Sequence, residues 1–149
     1  MLWQIDRRMQ SESEMTGKGA RRYRIMVVED NAAIAKAMQF ALQRAGYETK
    51  WCEDESVYDE IKAWKPDLIL MDLRMPRVDG GTLTATIKAN PETQGIPVII
   101  VTADQVTRER FEKTHANDLV NKPFRVPQLL ERIGYWLQQR DRGVGLANA

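Results

Sequence analysis

From Tyr23 onward, short apolar runs alternate with longer stretches in which apolar residues recur every three or four positions. "YRIMVV" is apolar and β-branched at its end, which predicts a strand. Asn31 can then cap a helix with Ile34, Ala37, Met38, Ala41, Leu42 and Ala45 at helical spacing, closed by Gly46. "YETKWC" predicts a second, half-polar strand, and "DESVYDEIKAW" a helix facing inward through Val57, Ile61 and Trp64 until Pro66 stops it. "DLILM" is a third strand, and the Pro and Gly of "RMPRVDGG" mark a loop. "TLTATIKAN" follows as a weaker helix with Leu83 and Ile87 inward, and "PETQG" turns the chain. "IPVIIVT" is the fourth and most hydrophobic strand. The segment from Gln105 to His115 reads as a charged helix with little apolar face. "DLV" is a short fifth strand, and "VPQLLERIGYWLQQR" a last helix with a stripe of Leu129, Leu130, Ile133, Trp136 and Leu137.

Continuous apolar strands separated by amphipathic helices predict an α/β fold: a doubly wound, five-stranded parallel sheet covered on both faces by five helices, with right-handed crossovers. Ligands of such sheets bind beyond the carboxyl ends of the strands. The residues at those ends are Glu29 and Asp30 after the first strand, Asp72 after the third, Thr102 at the end of the fourth and Lys122 after the fifth. The second strand offers only Cys52 and Glu53, which places it at the outer edge.

Three carboxylates gathered at one sheet edge repel, and each is costly to desolvate alone. A hard divalent cation resolves the repulsion, and carboxylate oxygens with water suit Mg²⁺. Lys122 adds a mobile positive charge and Thr102 a hydroxyl. Cation, ammonium and hydroxyl are what a phosphoryl group needs around its oxygens. One carboxylate can then act as nucleophile and become an acyl phosphate.

Four segments, "VVEDN", "LILMDLRMPRVDGG", "IIVTA" and "NKPF", each at a strand end and in this order, resemble the signature of the receiver domain of two-component response regulators. The resemblance spans about residues 23–141. It implies a flavodoxin-like sheet of order 2-1-3-4-5. It implies Asp72 as phospho-acceptor, and Mg²⁺ held by Glu29, Asp30, Asp72 and the backbone carbonyl of Arg74. Thr102 and Lys122 would contact the phosphoryl group, and the Lys122–Pro123 peptide would be cis. The phosphoryl group would come from a sensor histidine kinase or a histidine phosphotransfer protein. The protein would be an enzyme only for its own phosphorylation and dephosphorylation, passing its signal to a downstream protein by contact. The pattern departs from the family at Leu119, where receivers usually carry a Tyr or Phe that rotates on activation. Arg74 and Asp104, two residues past the acceptor and past Thr102, would border the phosphoryl group and influence its lifetime.

Composition changes this picture little. The 149 residues suffice for one domain, and the formal net charge of +1 gives no reason to expect nucleic acid or an anionic membrane as partner. One cysteine, Cys52, cannot form an internal disulfide, no run is long enough to cross a membrane, and the N-terminus lacks a signal-peptide apolar core, so a cytoplasmic setting is expected. Residues 1–22 are polar and are expected to form a flexible extension before the receiver domain at 23–141, with 142–149 as a tail.

Plainer readings exist for each residue. Glu29 and Asp30 could serve a helix cap, Thr102 could be an ordinary strand residue, and Lys122 and the lone His115 could be solvated surface groups. Trp3, Trp51, Trp64 and Trp136 read as packing residues, with Trp136 also a candidate for a partner interface. Coincidence of acids, Thr and Lys in register favours the joint site. A phosphatase with an aspartyl-phosphate intermediate needs a second acid two residues after the nucleophile, where Arg74 stands. A degenerate receiver, used as a phosphorylation-independent binding module, remains the alternative, left open by Leu119. No segment with room for a helix-turn-helix follows, so a stand-alone receiver is expected. A homodimer is expected to use the last helix, the fifth strand and the charged helix before it, with Asp118, Arg132 and Arg140 as complementary charges.

Overall fold

The structure, a computed structural model, describes residues 22–143. Expectations for the extension, for Trp3 and for most of the tail lie outside the described residues. The strands are β1 (Arg24–Val28), β2 (Glu48–Cys52), β3 (Leu68–Met71), β4 (Val98–Thr102) and β5 (Asp118–Asn121). All are parallel, in the order β2-β1-β3-β4-β5, so the half-polar second strand does lie at the edge. The helices are α1 (Ala32–Arg44), α2 (Val57–Trp64), α3 (Gly80–Ala89), α4 (Arg108–Thr114) and α5 (Val126–Arg142).

Strand alternation divides the core in two. Ile25, Val27, Leu68, Leu70, Ile99 and Val101 face the layer of α1 and α5, which bury Ala35, Met38, Leu42, Leu129, Ile133 and Leu137. Met26, Val28, Ile69, Met71 and Val98 face α2 and α3, which supply Val57, Ile61 and Ile87. Asn31 caps α1 by accepting from the Ile34 amide at 3.0 Å. Gly46, at φ 99, takes the left-handed position just past its end. No helix of the described residues is long and apolar enough to cross a membrane.

Three local expectations change. The two glycines of "RMPRVDGG" belong to helix rather than loop, because Asp79 caps α3 by accepting from the Gly81 amide at 3.2 Å. The charged helix is shorter than Gln105–His115: Thr107 caps it from the Arg110 amide, and His115, an exposed residue as expected, closes it with φ 61. The charges assigned to a partner are engaged within the chain. Arg132 binds Asp118 at 2.6 Å, Trp136 donates to the same carboxylate at 2.9 Å, and Arg140 binds the buried Asp67 at 2.8 Å. Asp67 also accepts from the Arg24 amide at 2.8 Å, while Tyr23 bonds Asp141, so these polar groups tie the end of α5 to the base of the sheet.

Near the end of α3, Lys88 folds back over the following turn and donates to the carbonyls of Gln94 (3.2 Å) and Ile96 (2.8 Å). Burial pulls its ammonium from 10.5 down to about 8. Between these values the unfolded chain holds the proton and the folded chain releases it. Stability therefore rises with pH across that window, because the cost of a buried charge disappears. The unfolding free energy of the protein relative to Lys88→Met should increase from pH 8 to pH 10.5. A pH-independent difference in denaturant titrations would refute the assignment.

Candidate functional site

The carboxyl ends of β1, β3, β4 and β5 bring the expected residues to one edge. Glu29 continues the ladder beyond β1, its amide donating to the Cys52 carbonyl at 3.1 Å, and the Asp72 amide donates to the Val28 carbonyl at 3.0 Å. The sheet itself thus sets both acids at the same level. Ligand oxygens of Glu29, Asp30 and Asp72 lie within 4.8 Å of one another. Glu29 and Asp72 are buried, at 3% and 7% exposure, and Asp30 is more open.

Lys122 reaches across from the end of β5. Its Nζ is 2.7 Å from Glu29 Oε1 and 3.5 Å from Asp72 Oδ2. Its amide donates to the Thr102 carbonyl at 2.8 Å, and the Lys122–Pro123 peptide is cis, as the resemblance implied. Burial pulls the ammonium down, but the Glu29 bond and the charges of Asp72 and Glu29 outweigh it, so its pKa stands above the ordinary value. Burial pushes the Glu29 carboxyl up, against the bonds from Lys122 and from the Asn31 amide, and the Asp72 charge adds to the rise. Glu29 is thus incompletely compensated even with an ammonium beside it.

That imbalance, with three hard oxygen donors in reach of one point, fits a divalent cation. Mg²⁺ there would neutralise the acids. Of the fourth expected contributor, Arg74, the amide donates to Asp72 Oδ1 at 3.2 Å, while its side chain turns outward to Asp104, Nη2 to Oδ1 at 2.7 Å. Arg110, in the first turn of α4, stands 3.9 Å from the other Asp104 oxygen. Arg74 and Asp104 thus form an ion pair through a single close contact.

Thr102 is buried, and its Oγ1 accepts from the Asp104 amide at 3.1 Å, which leaves its O–H as a donor. Leu119 is half-buried on β5, opposite Ile100. Cys52 is buried and its thiol is pushed up to about 11, so it is a packing residue rather than a nucleophile.

Three contributors were not legible as such. Asn121 donates to the Asp104 carbonyl at 3.1 Å and the Thr102 carbonyl at 3.4 Å, bracing the β4–α4 loop. Trp51, read only as packing, donates its indole N–H to the Glu29 carbonyl at 2.6 Å. Gly80 lies against the Asp72 backbone, so closely that a Cβ would come within 2.9 Å of the Asp72 carbonyl carbon and closer still to its oxygen. A glycine eight residues past Asp72 was the available signal for the last; nothing in the sequence marks the other two.

Known proteins resemble this chain in sequence and in fold. The family model described as the response regulator receiver domain matches residues 25–134. The polar-differentiation response regulator DivK of Brucella anthropi is 34% identical over 116 residues, covering 76% of this chain and 94% of that protein. The DNA-binding dual master transcriptional regulator RpaA of Synechocystis sp. is 31% identical over 122 residues, and there the chain spans only 51% of the relative's length. The solved signal receiver domain of a signal transduction histidine kinase from Syntrophus aciditrophicus superposes with a TM-score of 0.73 at 28% identity, over 78% of this chain and 90% of that one. The chain belongs to the response regulator receiver domain family, whose members are signalling modules.

Proposed function

We propose that the protein accepts a phosphoryl group on Asp72 from a histidine kinase or histidine phosphotransfer protein, in a Mg²⁺-dependent reaction, and signals by protein–protein contact. The convergence of three carboxylates on one point, with Lys122 bridging two of them, supports this reading most directly. Asp72 Oδ attacks phosphorus as the donor's bond to phosphorus breaks. Lys122 follows the charge as it moves onto the phosphoryl oxygens, exchanging part of its contact with Glu29 for the new dianion. The Thr102 hydroxyl donates to the same group. Glu29, Asp30, Asp72 and the Arg74 carbonyl would supply the cation's protein ligands. Incubation with a small phosphodonor and Mg²⁺, followed by intact mass measurement, tests this. A phosphoryl mass gain that needs Mg²⁺ is expected; no gain at any Mg²⁺ concentration overturns it.

A cytoplasmic setting fits this reading. Leu119 leaves open a second one, a degenerate receiver acting as a phosphorylation-independent binding module, and the same mass measurement separates the two. A homodimer through α4, β5 and α5 stays within the proposal, but Asp118, Arg132 and Arg140 would have to leave their internal partners to join it.

The Arg74–Asp104 pair joins the loop after β3 to the loop after β4. It would obstruct the line along which water attacks the phosphoryl group. Arg74 is largely exposed, so the pair adds little stability and its effect is kinetic. Replacing both residues with Ala should speed loss of the phosphoryl group several-fold; an unchanged decay rate, followed by mass or by radiolabel, would count against this role.

A further inference from the structure

We infer that Trp51 is a positioning residue for the Mg²⁺ site. The inference rests on reading Glu29, Asp30 and Asp72 as that site. Trp51 lies on the edge strand β2, opposite Val27 in register, and packs against the α1–α5 side of the core. Packing alone asks only for an apolar ring. The indole does more: its N–H reaches past the end of β1 and donates to the Glu29 carbonyl at 2.6 Å.

This carbonyl belongs to the peptide joining the two acids. Glu29 is held at three further points: its amide donates to the Cys52 carbonyl, its Oε2 accepts from the Asn31 amide at 3.2 Å, and its Oε1 accepts from Lys122 at 2.7 Å. Asp30 has no comparable support. Its carboxylate makes no hydrogen bond or ion pair among the described residues. Its direction is therefore set by the backbone that carries it, and the plane of the Glu29–Asp30 peptide fixes that backbone. Trp51 clamps the plane from one side while the Cys52 carbonyl holds the amide before it. Mg²⁺ demands near-ideal ligand geometry, so a small rotation of this peptide misplaces one of its carboxylates.

Mg²⁺ binding by calorimetry, with no phosphodonor present, tests the inference on three proteins: unsubstituted, Trp51→Phe and Trp64→Phe. Phe keeps a ring on the core and removes the N–H. Trp64 is at the opposite end of the sheet, stacked with Arg24, and controls for general loss of packing. Trp51→Phe should weaken Mg²⁺ binding roughly three- to tenfold, the scale of one lost hydrogen bond, while Trp64→Phe leaves it unchanged. A purely structural Trp51 would lower the unfolding temperature and leave Mg²⁺ affinity alone, which overturns the inference. Absence of Mg²⁺ binding by the unsubstituted protein removes the metal reading itself, and this inference with it. Should Trp51→Phe fail to fold, the indole N–H resonances of the unsubstituted protein decide. The Trp51 signal should move on Mg²⁺ titration more than those of Trp64 and Trp136; a stationary Trp51 signal overturns the inference.

Discussion

Asp72→Asn should abolish the phosphoryl mass gain while leaving the protein folded. The amide is nearly isosteric with the carboxylate, so the buried position is filled as before. Its oxygen is no longer an anionic nucleophile, and no acyl phosphate can form on it. The substitution also removes one of the three negative charges, which relieves repulsion at Glu29. The variant should therefore be at least as stable as the parent and inert toward the phosphodonor. Lys122→Ala makes the contrast. It keeps the three carboxylates but deletes the ammonium that sits 2.7 Å from Glu29 and 3.5 Å from Asp72. Metal binding should survive that change, since a cation is then the only remaining neutraliser, while the response to phosphorylation is impaired. If Asp72→Asn still gains an acid-stable, base-labile phosphate at the parent rate, the acceptor is elsewhere.

Much of this arrangement was legible in the order of residues. Parallel strands buried on both faces read as continuous apolar runs, and their carboxyl ends must meet at one edge whatever the loops do. Glu29, Asp30, Asp72, Thr102 and Lys122 could thus be grouped without knowing a single distance. Side-chain reach was not legible. Arg132 and Arg140 read as free charges on an amphipathic helix, but Asp118 and the buried Asp67 lie close enough to claim them. Trp51 read as packing because its spacing is that of a strand, and spacing carries no information about where an indole N–H points. The glycines after Asp79 read as loop because glycine weakens helices, an ordinary preference here overruled by the Asp79 cap and by lack of room.

That lack of room makes Gly80→Ala the most damaging small substitution in the site's surroundings. Gly80 opens α3 directly behind Asp72, its amide donating to the Leu73 carbonyl at 3.2 Å. Added carbon at Cβ would come within 2.9 Å of both the Asp72 carbonyl carbon and Leu73 Cα. These are backbone atoms at the end of a central strand, so they cannot swing aside as a side chain would. Either α3 moves away from the sheet, loosening Ile87 and the buried Thr84, or the Asp72–Leu73 backbone shifts and carries the acceptor with it. Overpacking against a fixed backbone costs about 1–3 kcal/mol, a large fraction of the stability of a domain this size. Gly81→Ala serves as the comparison, because its nearest neighbour is the Thr114 methyl at 3.4 Å, an ordinary contact. Denaturant titration should show a large loss for Gly80→Ala and a small change for Gly81→Ala. Phosphorylation of whatever Gly80→Ala remains folded should also be slow, since the acceptor carboxylate would no longer face Glu29 and Lys122 at its native distance. Equal stability of the two variants would mean that the helix start yields more easily than its contacts with Asp72 imply.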